Sequence, residues 1–424
     1  MKKNEIFTAL INLKKAFIEA LTPESMKNND GKRFTGMRAL WPGRLITIIL
    51  RCSPYGLQTR LDDYFKEIGH KQEVVSKQAF SKARTKLDPE ILKESFLLTA
   101  QTLSGCEDLE LYRGRYRLCA IDGSDIILDN AKELLEHFGG SGGKKDCATA
   151  PASLCYDPLN NIILDGGLYP YGTSEREAAR KHFEAVEALP LPSGAKNLYL
   201  NDRGYPSKEL FAEMIDAGRC FLMRVRKNFS HDFDLSCRNE KVYFYHNGKQ
   251  YYVRIFKVLL DSGETETLAT NLKEKHLSRK EMAGLYFKRW GIEVKYDSLK
   301  NKLELENMSG RRVVTTYQDF WAKLDPANTT AALEFATDEA IEERTANRNN
   351  KYKQTTNENR LVSIFSESYI KLLTEENAQK RLEMFDDLVE DISRRPVEVK
   401  PGRKNVRKPP KKKKFCDRRK RALR

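Results

Sequence analysis

The sequence predicts a mixed α/β protein, with a middle segment of alternating strands and helices between two helical ones. Three observations predict it. Apolar residues recur at helical spacing up to about residue 110. Short β-forming runs alternate with helical stretches from Tyr112 to Val225. An aromatic, β-rich run from Lys241 to Leu260 then gives way to helices from Ser278 to about Ile392.

Taken in order, Glu5 to Leu21 carries a helical apolar pattern, and Leu45 to Leu50 reads as a buried helix. Between Gly56 and Gly69, Leu57, Leu61 and Tyr64 follow at steps of four and three before the closing glycine. Ser76 is an N-cap for a short helix ending at Arg84. Its inward face is Ala79, Phe80, Ala83 and Leu87; Lys77, Ser81, Lys82 and Arg84 face outward. A helix, a turn and a short basic helix suit a DNA-binding helix-turn-helix, but the pattern alone favours an ordinary surface helix in a bundle.

Tyr116 to Ile121 reads as a strand running into Asp122-Gly123-Ser124. After the glycine-rich loop Gly139 to Gly143, Ala152 to Tyr156 and Ile162 to Tyr169 form a hairpin around Pro158 to Asn161. A helix from Glu175 to Ala188 precedes the strand Leu198 to Leu200, which ends at Asn201-Asp202-Arg203-Gly204-Tyr205. A helix from Ser207 to Ala217 and a strand from Cys220 to Val225 complete the alternation. In the β-rich run, Asn247-Gly248 is a strong hairpin signal. No internal repeat is evident.

The chain has 424 residues, 40% hydrophobic and 32% charged, which excludes overall disorder. Of the formal net charge of +15, fourteen basic residues and a single acid, Asp417, fall between Lys400 and Arg424. The body is therefore nearly neutral, and the tail is a polyanion-binding segment without base readout. No run approaches the roughly 20 apolar residues that span a bilayer. Met1-Lys2-Lys3 is followed by no apolar signal core, so a cytoplasmic protein is expected. The eight cysteines form no C-x-x-C pair and the six histidines no H-x-x-x-H pair, which points to reduced thiols and gives zinc no support.

Chemistry is expected at three acids. Asp122 and Asp202 each end an apolar strand, where α/β sheets collect functional groups, although such an acid is also a common turn-maker. Met282 to Leu303 reads as one long helix apart from Gly291. At 100° per residue, Tyr286, Arg289, Glu293, Asp297 and Lys300 share a polar stripe about 80° wide. Leu285, Ile292, Tyr296, Leu299 and Leu303 form the adjoining buried stripe. The polar stripe is either a solvated face with an Arg289–Glu293 pair or one wall of a site; periodicity does not decide. Three carboxylates meeting in a pocket would favour Mg²⁺ or Mn²⁺. Two such ions about 3.5–4 Å apart suit phosphodiester cleavage.

Tyr286, Arg289, Glu293 and Lys300 fit Y-(2)-R-(3)-E-(6)-K, and Leu285 to Glu293 is similar to a Y-x-x-R-W-x-I-E core. With Ile121-Asp122-Gly123-Ser124 and Asp202-Arg203-Gly204-Tyr205, the chain resembles bacterial insertion-sequence transposases of the insertion-sequence-four family, from about Lys77 to about Leu373. The resemblance implies a ribonuclease-H-like catalytic core with a β-rich insertion, preceded by a helical DNA-binding domain and followed by helices and a basic tail. The expected divisions are 1–110, 111–345 with the insertion at about 226–272, 346–393, and a disordered tail at 394–424. The implied catalytic and metal-holding triad is Asp122, Asp202 and Glu293; Asp125 lies close by, but the D-G-S match selects Asp122. Two Mg²⁺ ions are implied, with Mn²⁺ a substitute. Tyr286, Arg289 and Lys300 would contact the phosphates of the element ends.

The implied partners are double-stranded DNA, as element ends and as target, and further copies of the chain, a homodimer or larger, in a paired-end complex. The implied activity is cleavage of the element ends and joining of their 3′-OH groups to target DNA, in a bacterial, nucleoid-associated protein. The competing readings are a transposase-derived DNA-binding protein and a metal-dependent nuclease without strand transfer. Trp41, Trp290 and Trp321 are the only tryptophans and lie outside the expected insertion, so base flipping onto a tryptophan there has no support.

Deleting residues 400–424 should weaken DNA binding generally and flatten the dependence of log affinity on log salt, because fewer counter-ions are released. Binding titrations at several salt concentrations check this; an unchanged slope would remove the tail from the DNA.

Overall fold

The computed structural model describes residues 3–25, 34, 39–51, 56–70, 72–140, 148–235, 240–259, 263–273 and 278–400. The expected tail therefore lies outside the described residues, except for its first few. Five helices come first: α1 (Lys3–Ala20), α2 (Pro42–Leu50), α3 (Leu57–Glu67), α4 (Lys77–Arg84) and α5 (Pro89–Ser104). Then follow β1 (Tyr116–Ile127), α6 (Lys132–Phe138), β2 (Thr149–Asp157), β3 (Ile162–Leu168), α7 (Glu175–Glu187), β4 (Lys196–Asn201), α8 (Lys208–Asp216), β5 (Cys220–Val225) and α9 (His231–Leu235). After β6 (Glu240–His246), β7 (Lys249–Leu259) and β8 (Thr265–Thr270) come α10 (Arg279–Phe287), a 3₁₀ turn (Lys288–Trp290) and α11 (Gly291–Asn301). The chain closes with α12 (Val313–Thr345), β9 (Gln354–Thr355), α13 (Glu358–Thr374), α14 (Ala378–Ser393) and β10 (Val397–Glu398).

Local chemistry sets many of these boundaries. Ser76, Ser174 and Ser207 cap α4, α7 and α8, accepting the amides of Ala79, Glu177 and Leu210 at 3.2, 3.1 and 3.0 Å. Ser278 and Glu281 form a reciprocal capping box that starts α10. Asn247 and Gly248, at φ 48° and 75°, make the tight turn between β6 and β7, where two consecutive positive-φ residues match the strand twist.

The chain divides into two compact units, and each is discontinuous. The first comprises Met1–Leu103, Ala131–Leu134 and Leu299–Arg424; the second comprises Ser104–Asn130 and Leu135–Ser298. The later division falls at 298/299, inside α11, so the first unit holds both the early and the late helices.

In the first unit, a buried polar knot joins three helices. Lys14 of α1 pairs with Asp325 of α12, both essentially without solvent exposure. From α5, Ser95 and Thr99 donate their hydroxyls to the Asp325 carboxylate at 2.7 and 2.6 Å. Arg84 differs from its expected outward position. It is buried, pairs with Asp319 at 2.7 Å and donates to Gln318 at 2.7 Å and to the Thr315 carbonyl at 3.1 Å. A carboxylate and two neutral acceptors on α12 pull the guanidinium inward, while Lys77, Ser81 and Lys82 stay exposed as expected; Ala79, expected inward, is exposed as well, where a single methyl group has little burial to lose. Nine residues separate α3 from α4, more than the three or four of a compact helix-turn-helix.

The second unit is built on an eight-stranded sheet of order β3-β2-β1-β4-β5-β8-β7-β6. β1 runs parallel to β4 and β4 to β5, whereas β2, β3, β6, β7 and β8 pair antiparallel. The expected insertion is therefore no separate layer: its three strands extend the central sheet through β8 against β5. One face is covered by α7 and α8, with Phe183 edge-on to Tyr199 at 4.7 Å and Phe211 stacked on Phe221 at 5.2 Å. On the same face buried His182 lies 2.6 Å from Asp165 and 2.9 Å from Ser153 through its two ring nitrogens. The opposite face meets α10 and α11. The short α6 was not expected from the sequence.

Two outcomes follow. Asp325→Ala should cost about 3–5 kcal/mol, because it strands the buried Lys14 ammonium, and should be read as a lowered denaturation midpoint. The second concerns Asp157, fully buried at the end of β2, whose carboxyl burial pushes up to about 6 against the opposing hydrogen bonds from Asn160 and Leu159. A folded value above the unfolded one means that the fold favours the neutral acid. That stabilisation is complete below about pH 4 and is lost as pH rises through about 6. Asp157→Asn should flatten this part of the stability–pH curve by about 2–3 kcal/mol, measured by thermal melts from pH 4 to 7.

Candidate active site

The parallel ladder between β1 and β4 places the first two acids. Leu118 pairs with Leu198, Ala120 with Leu200, and Ile121 with Asn201. One step further, Asp122 and Asp202 become lateral neighbours on the same face of the sheet. Asp202 is where β4 ends, as expected. Asp122 is not at a strand end: β1 continues to Ile127 because β2 still pairs with it there, Asp122 opposite Leu154. Beyond Ile121 the flank toward β4 is unpaired, and Asp122 points across that opening.

The helix carrying the third acid departs from the single helix expected over 282–303. It breaks into α10 and α11 around the 3₁₀ turn Lys288–Trp290. A 3₁₀ turn advances about 120° per residue rather than 100°, which rotates Arg289 inward. Gly291 follows the turn because the space is taken: a Cβ there would lie 2.9 Å from Cβ of Pro158. The expected buried stripe of Leu285, Ile292, Tyr296, Leu299 and Leu303 is buried.

Arg289 is 5% exposed and lies between two of the acids. Its Nη2 is 2.9 Å from Oε1 of Glu293, and its Nη1 is 3.4 Å from Oδ2 of Asp122. Tyr286 donates its hydroxyl to Oδ1 of Asp202 at 3.1 Å, and Arg224 of β5 stands 4.0 Å from the same oxygen. The structure thus gathers Asp122, Asp202, Glu293, Tyr286 and Arg289 of the expected residues. Lys300 lies two helical turns beyond Glu293 on α11, its ammonium 3.2 Å from Glu306. Asp297 of the expected stripe is exposed.

Electrostatics follow from this packing. Burial pushes the Asp122 carboxyl up to about 6; the Gly123 amide and Arg289 oppose the rise, while Glu293 and Asp202 add to it. Burial also lifts the Tyr286 hydroxyl, so it stays a donor. Burial disfavours a charged Arg289, but Tyr286, Glu293, Asp202 and Asp122 hold its guanidinium above the ordinary range.

Three contributors were not singled out from the sequence. Tyr296, expected only as core, donates to the carbonyls of Asp122 and Ala152 at 3.1 Å each and fastens α11 to β1 and β2. Arg224 bridges Asp202 and, at 3.0 Å, Glu266. Tyr205 is 1% exposed, and its hydroxyl has no hydrogen-bond partner among the described residues. Strand alternation from Asp202 across to β5 was the available signal for Arg224; Tyr205 stood in the second-aspartate motif and Tyr296 in the buried stripe, but nothing in the sequence gave either hydroxyl a role. Gly204 gives the turn after Asp202 its room, since a Cβ there would lie 1.9 Å from Oε2 of Glu175.

Among the described residues, no three His, Cys, Asp or Glu side chains stand close enough to hold one metal ion. The geometric reason is visible: Arg289 occupies the gap between Asp122 and Glu293. The donor chemistry itself, three carboxylates of which burial has raised one, fits a hard divalent cation. No described helix is long and apolar enough to cross a membrane.

Among solved structures, the chain is similar to a piggyBac transposase seen by cryo-electron microscopy in a synaptic complex with hairpin DNA, at 12% identity and a TM-score of 0.48. The match covers 95% of this chain and 87% of that one. A comparison with curated proteins gives no match. The family model described as "Transposase DDE domain" matches residues 113–324, half of the chain, and so takes in Asp122, Asp202 and Glu293. Enzymes with this domain cut and join DNA and generally use divalent metal ions. The chain belongs to the transposase DDE domain family.

Proposed function

We propose that the chain is an insertion-sequence transposase of the insertion-sequence-four type, which binds the ends of its element, cleaves there and joins the freed 3′-OH ends to target DNA. One observation carries the reading. Within a transposase DDE domain, the sheet register sets Asp122 beside Asp202, and Arg289 draws Glu293 toward Asp122. The sheet, a three-strand meander joined to two parallel strands with helices between them, supports a ribonuclease-H-like core. The helices of residues 1–110 are assigned to DNA binding on the strength of the family resemblance.

Asp122, Asp202 and Glu293 would hold two Mg²⁺ ions, with Mn²⁺ a substitute; the ions supply activation of the attacking oxygen and neutralisation of the leaving one. The protein's own residues do the rest. Tyr286 orients Asp202 by its hydrogen bond, Tyr296 fixes the backbone at Asp122, and Arg289 keeps Glu293 turned toward the sheet. In hydrolysis, water attacks phosphorus and the 3′ oxygen leaves. In joining, that 3′ oxygen attacks a target phosphorus and displaces the target's own 3′ oxygen. Tyr286, Arg289 and Lys300 are assigned to the phosphates of the element ends. Work on two ends at once calls for at least a homodimer on DNA, and the setting is the bacterial nucleoid.

The second reading, a metal-dependent nuclease without strand transfer, shares every residue named; a strand-transfer assay with pre-cleaved ends separates the two.

Asp122→Asn, Asp202→Asn and Glu293→Gln should each abolish Mg²⁺-dependent cleavage of end-containing duplex while end binding survives. Near-wild-type cutting by any one of them would take that residue out of the triad. Lys300→Ala should lower cleavage by orders of magnitude at an unchanged melting temperature, because it removes a phosphate contact. Arg289→Ala should lose cleavage and stability together, since it leaves two carboxylates facing one another without their buried cation. Lys288→Ala, exposed on the same segment, is the control and should cut normally.

A further inference from the structure

The catalytic acids are not the only chemistry on their side of the sheet. From β1 across to β6, the pairing runs without a register shift: Ala120 with Leu200, Leu200 with Leu222, Leu222 with Thr270, Thr270 with Arg254, and Arg254 with Lys241. Directly paired residues share a face, and alternate residues along a strand keep it. Asp122 and Asp202 therefore lie on the same face as Lys241, Tyr243 and Tyr245 of β6 and Gln250, Tyr252 and Arg254 of β7. The other face of this hairpin, with Val242, Phe244 and Val253, is buried.

The three tyrosines are open to solvent, at 53%, 66% and 37% exposure for Tyr243, Tyr245 and Tyr252. Tyr243 and Tyr252 are cross-strand partners with ring centroids 5.8 Å apart. Lys241 holds its ammonium 4.9 Å above the Tyr252 ring. Three exposed rings on one hairpin are costly in water unless something covers them, and among the described residues neither β6 nor β7 places an acidic side chain on this face. Flat rings interleaved with Lys and Arg match the chemistry of a strand with splayed-out bases: bases stack on the rings while cations meet the phosphates.

We propose that this tyrosine face binds unpaired DNA, a single-stranded stretch continuous with the strand held at the carboxylates. The proposal rests on the transposase reading. Tyr252 lies three strand spacings from Asp202 and four residues along β7 from Phe256, which is level with it through Arg224 and Leu268. Those offsets put the platform roughly 20 Å from the acids. That is about six nucleotides at the ~3.4 Å spacing of a stacked strand. Duplex ends opened next to the cut would present such a stretch, and the tyrosines would hold it away from re-pairing.

The test measures fluorescence anisotropy of labelled single-stranded dT12 and of a blunt 20-base-pair duplex carrying an element end, on the full chain. Variants are Tyr243→Ala, Tyr252→Ala, their double, and the ring-keeping Tyr243→Phe/Tyr252→Phe. Each alanine should weaken dT12 binding about tenfold and the double about a hundredfold, with duplex binding changed little and the phenylalanine pair near wild type. Circular dichroism melts must match wild type; the phenylalanine pair keeps the test decisive if an alanine variant melts early, because its binding must still equal wild type. Unchanged dT12 affinity in a folded alanine double overturns the proposal. So does a dimer-to-monomer change with dT12 binding intact, which would make the face a protein interface. A wild-type chain that binds neither probe would instead overturn the transposase reading itself.

Discussion

The parallel ladder between β1 and β4 is the constraint on which the rest of the site depends. Because side chains in a strand alternate with period two, fixing Ile121 opposite Asn201 fixes the parity of every neighbouring position. A slip of one residue would turn Asp122 to the α7 and α8 side, into the layer of Tyr199 and Phe183, while leaving the backbone ladder nearly as well bonded. Packing on both faces opposes the slip: Leu118, Ala120, Leu198 and Leu200 on the acids' side and Cys119, Ile121 and Tyr199 on the other have no exposure, so side chains of different shape would have to exchange layers. The acids inherit their geometry from apolar packing several residues away.

That geometry carries an electrostatic cost. Burial is the main reason the Asp122 carboxyl is raised to about 6, and the neighbouring Glu293 and Asp202 carboxylates add repulsion to it. The protein offsets the repulsion with Arg289, a buried guanidinium that reaches two of the acids at once, and with the Tyr286 hydroxyl on the third. A planar fork with several donors can do this where a lysine point charge cannot. The 3₁₀ turn at 288–290 is part of the same device, because it turns Arg289 toward the sheet while Lys288 stays exposed. Arg289, which the resemblance assigns to DNA phosphate, is in this structure the counter-ion of Asp122 and Glu293.

How much of this was legible in the sequence depends on how local each cause is. Strands and helices whose signals are short-range came out close to their limits: Cys220–Val225, the Asn247-Gly248 turn, and the helices started by Ser76, Ser207 and Ser278. The three acids and their signature could be named because their motifs are contiguous. What failed was set by distant partners. Arg84 reads as an outward cation until Asp319, more than two hundred residues later, is known to lie beside it. The 3₁₀ turn at Lys288–Trp290 had no local signal except Gly291, whose missing Cβ leaves room for a Pro158 that lies far away in sequence. Tyr296 reads as core because its pattern is apolar, yet its hydroxyl ties α11 to the backbone of the first acid.

The β-rich segment shows the same limit on a larger scale. Its strands were recognisable from composition, but whether they formed a body of their own or joined the main sheet depended on one non-local pairing, β5 with β8. That pairing is antiparallel, so β8 runs back along β5, and the hairpin of β6 and β7 is then added edgewise rather than stacked on top. An added strand shares the two faces of the sheet it joins. Had the segment folded as a separate layer, its exposed tyrosines would bear no fixed relation to the acids. Joined to the sheet, they are held to β4, which ends at Asp202, by backbone hydrogen bonds across four consecutive pairings, which is a stiffer connection than any loop could give.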